Sequence, residues 1–166
     1  DAPRIVDAQK FLPADITAGR LKFVTNDIYK VDTDNDFDGL YDIIVLKDVI
    51  EHIHDQAKLI GWMKNFLKPD GIIFYGFPPW YMPFGGHQQI CKSKISRLPY
   101  IHLLPKGLYQ WILKNRKENV EEMMEIRETR ISIERFVRIS KKEGYSLPHN
   151  RHYFINPIYE WKFGWK

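Results

Sequence analysis

The stretch Met82-Pro83-Phe84-Gly85-Gly86-His87-Gln88-Gln89 gathers groups that can do chemistry. His87 is its one side chain that titrates near neutrality, so it could take a proton from a nucleophilic hydroxyl. Gly85 and Gly86 allow backbone to come close to a ligand. Gln88 and Gln89 offer amides to polar substrate groups. Trp80 and Tyr81, just upstream, suit the walls of a pocket. A loop histidine satisfied by backbone would be written in the same residues. A second polar group, Lys47, Asp48, Glu51 and His52, follows the apolar run 41–46. His52 and His54 stand two apart and invite a metal pair. A site needs three or four ligands, and the sequence fixes no third one beside them, so no metal is expected.

These residues need elements to position them. Residues 41–46 are nearly all apolar, the pattern of a strand covered on both faces. Asp55 can cap a following helix, whose buried side is Leu59, Ile60, Trp62, Met63, Phe66 and Leu67. Lys68-Pro69-Asp70-Gly71 closes that helix, and 72–77 is a second buried strand. Strand, helix and strand make a βαβ unit with parallel strands. Ligands on such sheets bind beyond the carboxyl ends of the strands. Both polar groups lie at that edge.

Upstream, residues 3–12 read as a helix that stops before Pro13. Residues 21–24 (LKFV) read as a short strand followed by Thr25-Asn26-Asp27-Ile28. The acidic run 31–39 is a surface loop, and it lacks the Gly and Glu positions that a calcium loop requires. Downstream, Pro83, Gly85, Gly86, Pro99 and Pro105 break up the chain. Helix pieces follow at 108–113 and 120–126, then a helix over 131–143 ended by Gly144. The tail, 145–166, alternates aromatic and polar residues, as two antiparallel strands turning near Asn156-Pro157 would.

With 166 residues the chain is the size of one domain. Its 44% hydrophobic and 28% charged residues are those of an ordinary soluble protein. The net charge of +4 comes from scattered basic residues, so nucleic acid is not the favoured partner. The single cysteine, Cys91, excludes an internal disulfide and suits a reducing compartment, so a cytoplasmic location is expected. No apolar run reaches the ~20 residues that span a bilayer, and no signal peptide is visible. A homo-oligomer remains open.

YDIIVLKDVIEHI, LKPDG and IIFYGFP, in that order, resemble the second half of a class I S-adenosylmethionine-dependent methyltransferase. The resemblance implies a three-layer, Rossmann-like α/β fold with a mostly parallel central sheet and a C-terminal antiparallel hairpin. It implies S-adenosylmethionine as cofactor. Asp27 and Ile28 then correspond to the region after the third strand, near the adenine. Leu46, Lys47 and Asp48 correspond to the loop after the fourth, near the methionine part. A plain turn residue at Asp27, a solvated Lys47 and a helix-capping Asp48 would read alike. Phe77-Pro78-Pro79-Trp80 is similar to the Asn/Asp-Pro-Pro-aromatic motif of methyltransferases acting on nucleic acid bases. That motif follows the fourth strand rather than the fifth, and Phe77 has no side-chain carbonyl for a target amine. A rigid turn is the better reading.

The family's glycine-rich loop and its first two strands are missing from the chain, which therefore reads as an N-terminally incomplete single domain over 1–166. Alone it is not expected to form a stable monomer, since strand 41–46 would be left as an exposed apolar edge. Residues 81–130 read as a helical insertion, with 90–130 as a lid over the site. The function expected is methyl transfer to oxygen or nitrogen of a small-molecule acceptor. His87 would act as base, and Trp80, Tyr81 and Gln88 would contact the substrate. The alternatives are a non-catalytic methyltransferase-like binding module and, less favoured, a nucleic-acid methyltransferase.

Overall fold

A computed structural model describes residues 2–31 and 39–153. The chain divides into two units, Asp1–Leu40 and Tyr41–Lys166. The acidic stretch 32–38 and the proposed hairpin turn at Asn156-Pro157 lie outside the described residues.

In the first unit, helix α1 (Ala2–Phe11) ends where Pro13 predicts, because proline disfavours helix in the residue before it. Pro13 then opens a short helix, α2 (Pro13–Thr17), at a position whose N–H has no helical partner anyway. Gly19 turns the chain with φ of +70°, and the Arg20 guanidinium grips the Asp15 carboxylate at 2.8 Å. Residues 21–24, expected as a strand, have no regular structure. A strand exists only as part of a ladder, and LKFV has no ladder partner among the described residues.

The second unit is built on strands β1 (Tyr41–Lys47) and β2 (Leu67–Gly76), which pair in parallel. Ile43 faces Ile72, Val45 faces Phe74 and Lys47 faces Gly76. The register slips between Tyr41, opposite Leu67, and Ile43. Lys68-Pro69-Asp70-Gly71, expected as a turn, is thus absorbed into β2 as an irregularity. Proline has no N–H to give a ladder and is tolerated where the ladder is broken. Gly71 is needed there, since a Cβ would stand 2.7 Å from the Leu67 side chain and 2.9 Å from the Tyr41 carbonyl. The Lys68 ammonium reaches across to Asp42 at 2.9 Å.

The crossover runs through a 3₁₀ turn (Ile50–His52), helix α3 (Gln56–Trp62) and a second 3₁₀ turn (Met63–Phe66). Asp55 caps α3 as its sequence position predicts, accepting from the Lys58 N–H at 3.0 Å. Leu59, Ile60, Met63 and Phe66 are buried, following the helical spacing. Further on come α4 (Lys106–Asn115), α5 (Val120–Thr129) and α6 (Ile133–Lys142). Ser132 caps α6 and Gly144, with φ of +79°, follows its end. Cys91, Ile101, Tyr109, Leu113, Met123, Met124 and Ile126 form one apolar cluster beneath α4 and α5.

The expectation of two covered sheet faces holds for one. Helices α3 and α6 pack together, and the Phe136 ring of α6 meets Tyr75 and Phe77 at 5.0 Å each. The Tyr145 hydroxyl donates to the Ile60 carbonyl at 2.9 Å. On the other face Ile43, Val45, Ile72 and Phe74 are all more than half exposed. Successive side chains on a strand alternate faces, so these four make one continuous apolar strip. The arrangement of helices with a small parallel sheet is α/β. Among the described residues no helix is long and apolar enough to cross a membrane.

Phe136 is the side chain that joins α6 to the sheet. Phe136→Ala should destabilise the second unit by about 3 kcal/mol, the usual size of a buried aromatic truncation. Urea unfolding followed by circular dichroism measures this. A loss below about 1 kcal/mol would mean that α6 does not hold the sheet.

Candidate functional site

Because β1 and β2 run parallel, both release their chains at one edge. At the end of β1 the backbone of Asp48 takes a left-handed conformation, with φ of +53°. Its N–H donates to the Gly76 carbonyl at 2.7 Å and so prolongs the ladder by one bond. The chain then turns into Ile50–His52. Ile50 is completely buried and draws its neighbour Glu51 inward, leaving that residue 4% exposed. Gln56 fastens this turn, donating to the carbonyls of Ile50, at 3.3 Å, and of Thr129.

Beyond β2, the loop that carries His87 folds on itself. The Gln88 amide donates to the carbonyls of Pro83, at 2.7 Å, and Leu98, at 3.3 Å. A Cβ on Gly85 would strike the Trp80 and Pro79 carbonyls, and one on Gly86 would strike the His102 side chain. The two glycines thus serve close approach of the loop to itself. The Trp80 N–H donates to the Ile131 carbonyl at 2.8 Å. Its ring meets His102 edge-on at 4.6 Å and has the guanidinium groups of Arg127 and Arg130 over it. His87 itself is left-handed, with φ of +54°. Non-glycine residues held there cost of order 1–3 kcal/mol and mark backbone fixed by its surroundings.

These two chain segments bring Glu51, His52 and His87 together. Their ligand atoms all lie within 4.8 Å of one another. The His87 Nε2 is 4.0 Å from the Glu51 Oε1, and the two imidazole rings meet edge to face at 5.1 Å. Both Glu51 oxygens and His87 Nε2 are buried with no hydrogen-bond partner. Burial pushes the Glu51 carboxyl up to about 7, with the Asp48 charge adding to the effect. Burial also holds His87 below its ordinary value, helped by His52. Each group is therefore pressed toward its neutral form.

The residues singled out in the sequence fall in different places. Lys47 and Asp48 pair with each other at the exposed end of β1, while Leu46 is partly buried in the strand. Asp27 closes its own turn, accepting from the Tyr29 N–H at 3.1 Å and facing Lys30 at 3.6 Å. Ile28 follows in that same turn, within the first unit. Tyr81 is 65% exposed, whereas Trp80 and Gln88 are buried as braces of the loop. Sequence spacing alone misses Glu51 as a partner of His87. The available signal was the Glu51-His52 pair directly after a strand end, but its third member comes from a different loop.

Residues 3–84 match the family model of a methyltransferase domain. A ubiquinone biosynthesis O-methyltransferase of Pasteurella multocida is 27% identical over 79 residues, which cover 45% of this chain and 28% of that protein. The chain thus spans under a third of the length of that relative. No solved structure matches. The family match contains Glu51 and His52 and ends at Phe84, three residues before His87.

The loop's packing is sensitive to acid through His102. The Trp80 carbonyl, 2.7 Å from His102 Nε2, can only accept, so that nitrogen carries the proton. Nδ1 is then bare, buried and without a donor. A second proton would be buried unpaired, and burial holds His102 below 6.5. A lowered histidine stabilises the fold above its unfolded value of about 6.5, and that contribution is lost as pH falls below it. Glu51, raised to about 7, works in the opposite direction over the same window, so the His102 contribution is read as a difference: between pH 7.5 and 5.5 the urea midpoint of the wild type should lose more, or gain less, than that of His102→Gln. An equal change in both proteins would remove His102 from the account.

Proposed function

We propose that this chain, whose residues 3–84 match a methyltransferase-domain family model, is a class I S-adenosylmethionine-dependent methyltransferase that methylates an oxygen or nitrogen of a small-molecule acceptor. The observation that carries this reading is the polar cluster at the carboxyl edge of a parallel pair within the matched segment. The cofactor supplies a methyl group on a positively charged sulfur. Its amino-acid part bears one carboxylate and one ammonium. Lys47 and Asp48 offer the complementary charges, side by side and exposed. Asp27 and Ile28 are proposed for the adenine side.

The protein's own work is then to bind, orient and manage one proton. His87 has a ring nitrogen without a hydrogen-bond partner at this edge, which suits it to accept the proton of the acceptor. The exposed ring of Tyr81 suits an apolar part of the acceptor. We read 1–166 as one methyltransferase domain of three-layer type ending in an antiparallel hairpin, with 81–130 inserted and closing over the acceptor. What supports this reading is that α5 packs on the turn that holds Glu51. The second reading is a non-catalytic methyltransferase-like binding module, which the titration below separates from the enzyme.

Calorimetric titration of the full-length protein with S-adenosylmethionine tests the edge assignment. Lys47→Ala and Asp48→Ala should each weaken binding about tenfold, the value of a charge-assisted hydrogen bond. His87→Ala should leave that affinity intact and slow methyl transfer about a hundredfold or more. Unchanged affinity in both edge variants would refute the assignment. Tight binding with no transfer to any hydroxyl or amine acceptor would establish the binding module instead.

A further inference from the structure

We infer that Glu51, His52 and His87 form a binding site for one divalent transition-metal ion of the zinc class, with coordination positions left open to solvent. Two imidazoles and a carboxylate are a donor set that suits zinc, cobalt, manganese or iron, and not the all-oxygen preference of magnesium or calcium. The three side chains come from two loops at the same sheet edge, and each can offer a ligand atom within 4.8 Å of the others. Ligands about 2.1 Å from a tetrahedral ion lie roughly 3.4 Å apart. The His87 Nε2 to Glu51 Oε1 separation of 4.0 Å therefore needs only a small side-chain adjustment.

The independent observation is Glu51 itself. It is 4% exposed, yet neither of its oxygens has a donor, and His87 Nε2 facing it has no partner either. Buried polar atoms without partners are uncommon and ask for an explanation, such as an ion. At 4.0 Å the two groups do not hydrogen-bond to each other. One cation between them would satisfy all three atoms at once. Burial grades from Glu51, fully enclosed, through His87 to His52, which is exposed, so the site has an entry path on the His52 side. The left-handed backbone of His87 is part of the cradle, fixed by the loop's internal bonds.

An ion here would compete with a proton for His87 Nε2. Its use in activating an acceptor hydroxyl rests on the methyltransferase reading, but its binding does not.

The test is binding alone, with neither cofactor nor acceptor present. The full chain, freed of metal by chelator, is titrated with zinc chloride in the calorimeter and with cobalt(II) in the visible spectrum. One ion per chain is expected, with the absorption of a four- or five-coordinate cobalt, and zinc should raise the melting temperature. Glu51→Gln, His52→Ala and His87→Ala should each weaken zinc about a hundredfold, the upper end of what even outer-shell changes cost. His54→Ala, exposed and 3.9 Å from Glu125, should change nothing. If His87→Ala fails to fold, the exposed His52 variant and Glu51→Gln decide. The proposal is overturned if the wild type binds no zinc, or if those two variants bind it as tightly as the wild type.

Discussion

A parallel pair of strands cannot be closed by a turn, and the meeting of Glu51, His52 and His87 follows from that constraint. The chain must leave β1, cross back through α3 and re-enter at the start of β2. Both strands then discharge at one edge. The loop after β1 brings Glu51 and His52, and the loop after β2 brings His87. Residues far apart in sequence meet because the sheet has fixed where their loops begin. The bond from the Asp48 N–H to the Gly76 carbonyl ties the two exits directly together.

Much of this order was legible in the residues. The apolar run before Lys47, the Asp55 cap and the helical spacing from Leu59 to Phe66 each carry a local cause, and each appears where that cause acts. Pro13 and Gly144 mark helix ends for reasons confined to their own backbone. What was not legible depends on partners. LKFV at 21–24 has strand-like side chains, but a strand is a relation between two segments. Pro69 and Gly71 look like a turn until Tyr41 is seen opposite Leu67. The exposed strip Ile43, Val45, Ile72 and Phe74 is as apolar as the covered strip beside it, so composition could not tell one from the other.

The loop between β2 and α4 shows a different limit. It has little regular structure, so its backbone must find partners among side chains. Gln88, His102 and Glu118 supply them: Gln88 takes two loop carbonyls, His102 the Trp80 carbonyl, and Glu118 the N–H groups of Lys92 and Ser93 at 2.8 Å each. In sequence one of the three, Gln88, looks like a substrate contact. In the fold two of them are buried completely, and they stand in for the hydrogen-bond ladder that a helix or strand would have provided. The bracing does not reach the His87 Nε2, which is buried without a hydrogen-bond partner.

The left-handed backbone at His87 also sets this position against itself under selection. Glycine or asparagine would sit there at ease, and no local force in the loop calls for an imidazole. Mutants chosen only for heat tolerance would be expected to drift toward those residues, exchanging the ring for a relaxed chain. A lineage that keeps histidine at this place accepts a standing conformational burden in every copy of the molecule. Position 87 is therefore a sensor of use: the residue found there in any variant population reports whether the ring is still needed.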